Sequence, residues 1–145
     1  MGLIGSLQVS RSALQAERLR MDVVANNLAN INSTRTPEGG PYRRQTVLFR
    51  PAGEGLSFAA VLAKRAGTAP GGVAVDAVVE DPRPPRRVHD PGHPDADQDG
   101  YVLYPDIDVA AEVTDMISAT RSYQANVTAI NAIKGMALKA LEIGR

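Results

Sequence analysis

Asp95, Asp97, Asp99, Gly100 and Asp106 stand at the spacing of positions 1, 3, 5, 6 and 12 of an EF-hand loop, where closely set carboxylates would gather calcium. Three features oppose that chemistry. The last position is Asp and not the longer, bidentate Glu, Pro94 stands where an entering helix should end, and Tyr101 to Tyr104 reads as a strand. These departures favour a solvated acidic turn, with a calcium-binding module as the alternative. His89 and His93 flank Asp90-Pro91-Gly92 and could face one metal, but no third ligand has a regular position beside them. Gly55-Leu56-Ser57-Phe58-Ala59 loosely has the form of a nucleophile elbow. Its serine lacks a triad, since both histidines fall in a Pro-rich stretch. Neither a catalytic residue nor a cofactor is expected.

The elements that would have to hold such groups are few. In 145 residues the 16 basic and 16 acidic side chains balance, which leaves no nucleic-acid footprint. Cysteine is absent, so disulfides, thiolate metal sites and thiol nucleophiles are excluded. Aromatic residues make up only 4%, and a core would be built from Ala, Val, Leu and Ile, which suits long helices packed side by side. No stretch is long enough to cross a bilayer, and the opening Met1-Gly2-Leu3-Ile4-Gly5-Ser6 lacks the basic and apolar regions of a signal peptide. The expectation is a protein without membrane insertion that stays in the cytosol or leaves the cell without a cleaved signal.

From Leu3 to Ile31, Leu7, Leu14, Met21 and Leu28 recur at every seventh position, with Leu3, Val24 and Ile31 partly filling a second seam. This predicts an amphipathic helix that stops where Asn30, Asn32, Ser33, Thr34 and Pro37 gather. At the other end Val109, Val113, Met116, Thr120, Tyr123, Val127, Ile130, Ala137 and Leu141 alternate spacings of three and four, with Lys134 the charged member of the seam. A second long helix follows, started near Pro105 and Asp106. Asp106, Asp108, Glu112 and Asp115 at its beginning and Lys134, Lys139 and Arg145 near its end suit the helix dipole. Between the helices, Tyr42 to Phe49, Val73 to Val79 and Tyr101 to Tyr104 are short β-prone runs separated by Pro- and Gly-rich segments. The fold expected is mainly α: residues 1–34 as an N-terminal helix, 35–105 as a small β-containing insert with Pro/Gly-rich loops, and 106–145 as a C-terminal helix, the two helices forming a coiled-coil-like layer.

Each helix carries a narrow apolar stripe that one partner would not fully cover. Asn26, Asn27 and Asn30 on the first helix and Gln124, Asn126 and Asn131 on the second either fix register between helices or form a polar outer face. Gly135 is read as a place where another helix comes close. Arg35, Arg43, Arg44 and Arg50 make one region basic, whereas 90–115 holds no Lys or Arg. That is either two solvated surfaces or head-to-tail complementarity between neighbouring subunits.

The run Met21-Asp22-Val23-Val24-Ala25-Asn26-Asn27-Leu28-Ala29-Asn30-Ile31-Asn32 resembles the N-terminal signature shared by flagellar rod, hook and hook-associated proteins, whose core is Asn27-Leu28-Ala29-Asn30. Ser33 to Gln45, His93 to Val102 and Ala119 to Leu141 carry blocks similar to the short proximal rod proteins of the flagellar basal-body rod family. Two departures stand out: Asp106 occupies a position where the family favours Asn, and Gly53 to Gly72 matches no diagnostic block. The resemblance implies a self-assembling structural subunit, exported through the flagellar export apparatus and built into the rod that crosses the periplasm. It implies as partners other copies of the chain and other rod and basal-body proteins, with another short rod protein of the same family as the nearest alternative. The residues expected to carry assembly are Leu7, Leu14, Met21, Asn27, Leu28, Ala29 and Asn30 with Val113, Met116, Tyr123, Val127 and Ile130.

Overall fold

A computed structural model describes residues 2–52 and 71–143. The order is α1 (Leu3–Ala29), β1 (Gln45–Pro51), β2 (Val73–Glu80), β3 (Arg86–His89), β4 (Tyr101–Tyr104) and α2 (Val109–Ile143). This is the mainly α architecture expected, two long helices flanking a small β insert. The helix stop falls where the Asn-rich run begins, with Asn30 closing α1 by donating its backbone N–H to Asn26. The start of α2 lies beyond Asp106. Asp108 caps it, its Oδ1 accepting from the N–H groups of Ala110 (2.9 Å) and Ala111 (3.4 Å).

The helices pack against each other, and three contacts fix their direction. Asn27 meets Glu112, Met21 meets Thr120 and Arg20 meets Asp115, so the pair is antiparallel. Its apolar core is short: Ala16, Val23 and Val24 from α1, Ala119 and Ile133 from α2. Counted from that register, α2 outruns α1 by roughly seven residues, or about 10 Å of helix.

The seam of α2 is half the one expected. Met116, Thr120, Tyr123, Ile130 and Ala137 lie inward as the spacing predicts, but Glu112, Ala119, Asn126 and Ile133 share the seam with them, whereas Val113, Val127 and Lys134 are exposed. Choosing apolar residues by type selected the wrong column. Close packing takes the small Ala119, and the polar Glu112 turns inward because α1 brings it a hydrogen-bond donor. On α1, Leu7, Leu14, Met21 and Leu28 are half-buried, and the deepest positions are Ala16, Val23, Val24 and Asn27.

Two antiparallel hairpins, β1–β2 and β3–β4, form the insert. β1–β2 pairs Gln45 with Glu80 through Pro51 with Val73, with a bulge between Leu48 and Phe49. A two-stranded ribbon is marginal alone in water, and this one lies along α1. At one end Asn27 holds Gln45. At the other, Ser12 Oγ accepts from Val73 N–H at 3.1 Å while donating to Val9 O at 2.7 Å. The fifteen residue steps from Ser12 to Asn27 rise about 22 Å, and a seven-residue strand spans about 20 Å. Helix and strand thus match in length between the two pins. Gly72 permits the approach at Ser12: its φ is +133°, and a Cβ there would lie 2.5 Å from Ser12 Oγ.

β3 was not among the expected strands. Arg86-Arg87-Val88-His89 lacks β-prone residues except Val88, and its strand form is imposed by β4, the run Tyr101–Tyr104, with which it pairs.

Candidate functional site

Where the hairpin meets the root of the helix pair, the side chains are polar and buried. Asn27 and Glu112 are both completely shielded from solvent. Asn27 Nδ2 donates to Gln45 O (2.8 Å) and to Glu112 Oε2 (3.0 Å). Its Oδ1 accepts from Gln45 N–H (2.9 Å) and Tyr42 Oη–H (3.1 Å). The side-chain amide therefore pairs with both backbone groups of Gln45 as a neighbouring strand would, and all four of its hydrogen-bonding positions are used.

Glu112 arrives from the first turn of α2, where an acidic side chain suits the helix N-terminus. Arg44 Nε donates to its Oε1 at 2.6 Å, Arg44 Nη1 donates to Thr46 Oγ1 at 2.8 Å, and Arg44 Nη2 lies 3.7 Å from Asp115. Arg20 Nη2 donates to Asp115 Oδ1 at 3.0 Å and extends the network along α1. Burying a charge this completely is tolerable only with a cation and further hydrogen bonds in place, and Glu112 has both. Burial, with Glu112 and Glu80 as lesser causes, raises the Tyr42 phenol above its usual range.

This joint is an amide, two carboxylates and two guanidiniums saturating one another. The groups weighed for other chemistry are drawn apart. Asp95 accepts from Thr34 Oγ1 (2.8 Å) and faces Arg35 (4.0 Å), Asp106 pairs with Arg83 (3.1 Å), and Asp97 Oδ1 accepts from the N–H groups of Asp99 (3.0 Å) and Tyr101 (2.8 Å). The EF-hand spacing is thus not realised as a cation loop. Asp97 closes the turn between β3 and β4, and its neighbours tie that turn to the rest of the chain. His89 stacks edge-on against Tyr101 at 5.1 Å and His93 against Tyr104 at 6.1 Å. Among the described residues no three His, Asp or Glu side chains are placed to hold a metal ion. The Gly55–Ala59 stretch, the Leu3 side chain and Arg145 lie outside the described residues.

The family described as "Flagella basal body rod protein" matches residues 7–35, and that described as "Flagellar basal body rod FlgEFG protein C-terminal" matches residues 98–143. Flagellar basal-body rod protein FlgC of Bacillus subtilis (strain 168) is 49% identical over 147 residues, covering 97% of both chains. FlgC of Borreliella burgdorferi is 42% identical over 99% of this chain and 98% of its own, and FlgC of Salmonella typhimurium 40% identical over the whole of both. The chain belongs to the flagellar basal-body rod protein FlgC family. In this FlgC-family chain Asn27 falls in the first matched segment, Glu112 and Asp115 in the second, and Tyr42, Arg44 and Gln45 between them. The joint therefore ties the two family segments together through the insert.

Of the residues expected to carry assembly, Asn27 is the one built into this joint. Ala29, Val113 and Val127 are exposed, and Leu28, Asn30, Met116, Tyr123 and Ile130 are half-buried along with Leu7, Leu14 and Met21. Of the six amide side chains read as either fixing register or forming a polar outer face, only Asn27 bonds across the helices among the described residues. Asn30 and Asn126 donate to carbonyls of their own helices, and Asn26, Gln124 and Asn131 are exposed. Among the described residues no other helix approaches Gly135, where a Cβ would meet open space. Arg44, read as part of either a solvated basic surface or a complementary subunit boundary, is spent inside the chain, whereas Arg43 beside it is exposed. Arg44, Glu112 and Asp115 were missed as partners because they lie far apart in sequence. The available signal was the rarity of a charged residue on an inward helical column.

Proposed function

We propose that this chain is a structural subunit of the bacterial flagellar basal-body rod, placed in its proximal part, where it assembles with other rod proteins and copies of itself around the export channel. The observation that carries the reading is the unfinished end of the helix pair in a chain of the FlgC family. Beyond the joint the seam runs out into exposed Ile4, Met136, Leu138 and Leu141, apolar surface that neighbouring helices would cover. Val113, Ile117 and Val127 add to it along the outer face of α2. No helix is long and apolar enough among the described residues to cross a membrane, in keeping with a periplasmic shaft. The finer elements rest on the family's character: delivery by the flagellar export apparatus, the absence of catalysis, and residues 1–34 and 106–145 as the assembly core around the insert 35–105.

The test is deletion of the gene in its host, complementation with a tagged copy, and purification of basal bodies. Loss of motility on deletion, with the tagged chain recovered in the rod on complementation, is the expected result. Normal motility after deletion, or a tagged chain absent from purified rods, would overturn the reading.

A further inference from the structure

The joint has a property that follows from which segments supply its members. Asn27 comes from α1, Arg44 and Gln45 from the insert, and Glu112 from α2, and the carboxylate is the group with least freedom to do without the others. If α2 lay against α1 with the insert undocked, Glu112 would keep Asn27 as its partner but face no cation, since the nearby Arg20 is committed to Asp115 and Glu17. If the hairpin docked on α1 without α2, Arg44 would keep Thr46 but lose both carboxylates, and Asn27 would lose one acceptor. Each half-assembled state leaves a charged group without its ion-pair partner.

We propose that Glu112 is a positioning residue that makes pairing of the terminal helices and docking of the β1–β2 hairpin one event, acting through Arg44 and Asn27. The hairpin then takes its place on α1 only with α2 present, although its own contacts to α1, Asn27 to Gln45 and Ser12 to Val73, involve no atom of α2. A chain with its two ends apart carries an undocked insert, and closure of the ends sets the insert's direction relative to the helices. The inference concerns the single chain and stands independently of its place in the rod.

Amide hydrogen exchange on the full-length purified chain tests this at the Gln45 and Val73 N–H groups, which report hairpin docking on α1 alone. Ala119→Asp forces a charge into the helix seam without touching the insert. The expected result is at least a tenfold loss of protection at Gln45 and Val73, with the amides exchanged between β1 and β2 still protected. Retention of Gln45 protection within about twofold of the parent chain overturns the proposal, because docking would then be independent of α2. If Ala119→Asp exposes every amide of the chain, Glu112→Gln decides: it keeps the acceptor for Asn27 and removes the charge facing Arg44. A tenfold loss at Gln45 with Ile133 unchanged supports coupling through the carboxylate, and an unchanged Gln45 refutes it. A side chain that contributed only general stability would lower protection at Ile133 and Gln45 alike, which also counts against the proposal.

Discussion

The two ends of the helix pair are built on opposite terms. At the root Asn27, Tyr42, Arg44 and Glu112 are buried or half-buried and their hydrogen-bonding groups are taken within the chain. At the tip Ile4 is 75% exposed and Leu141 71%. There α1 starts at Gly2 without a side-chain cap and without an acidic residue in its first turn, and the last turn of α2 carries no basic one. A saturated polar joint cannot exchange its contacts for those of a neighbour without stranding a charge, whereas an apolar helix end gains from any neighbour that covers it. The chain thus has its specific polar contacts at the root and its exposed apolar surface at the tip.

Arg44→Ala should hurt the root most, leaving Glu112 buried without its closest cation and costing about 3–5 kcal/mol in urea unfolding of the isolated chain. A loss below about 1 kcal/mol would mean that the carboxylate finds another partner and that root and tip differ little. Asn27→Ala strands Gln45 N–H, the Tyr42 hydroxyl and one Glu112 oxygen, and about 3 kcal/mol is expected by the same measurement. Hydrogen exchange should sharpen the contrast within one sample. Amides of residues 4–10 and 136–142 should exchange at least about a hundredfold faster than those around Val24 and Ala119, because local opening follows the density of buried contacts. Uniform protection along both helices, or a cooperative melt of a fully helical monomer at low concentration, would erase the comparison.

Tyr42→Phe removes one hydrogen bond to Asn27 and should cost about 1 kcal/mol. It also carries a pH signature. The folded-state phenol is raised above 10.0, chiefly by burial and then by Glu112 and Glu80, so its contribution is complete below that value and lost as pH rises through the folded value. The parent chain should therefore lose stability above about pH 10 more steeply than the Phe variant. Leu141→Ser at the tip should change the isolated chain's stability by less than about 0.5 kcal/mol. It should nevertheless reduce recovery of the tagged chain in purified basal bodies, and equal recovery would show that the exposed tip is not an assembly surface.

Much of the architecture was legible because it depends on local pattern: the helices from their heptads, the end of α1 from its Asn-rich run, three of the four strands from β-prone runs. What was not legible depended on contacts between distant segments. β3 is a strand because β4 is beside it. The inner column of α2 is set by what α1 presents, and no rule that ranks residues by apolarity selects Glu112 over Val113. Asn27 was singled out as part of a signature, but its role as a stand-in for a strand needed the position of Gln45, eighteen residues later. The acidic run from Asp95 shows the limit of spacing alone: the run fits a cation loop on paper, its departures favoured an acidic turn, and its carboxylates engage a turn, Thr34 and arginines elsewhere in the chain.

The pinned hairpin has a consequence for how a chain of this kind can change size. Where β1 ends and β2 begins, Ala52 N–H donates to Gly72 O at 2.9 Å, and Ser12 holds Val73 one residue beyond. Whatever length of polypeptide leaves at one of these residues returns at the other with the chain ends already fixed side by side. Closing a longer excursion costs only about 0.6 kcal/mol per doubling of length. The pair Ala52 and Gly72 is thus a fixed gate: a change in the length of chain that leaves and returns there need not disturb the joint or the helix register that Asn27 and Ser12 hold.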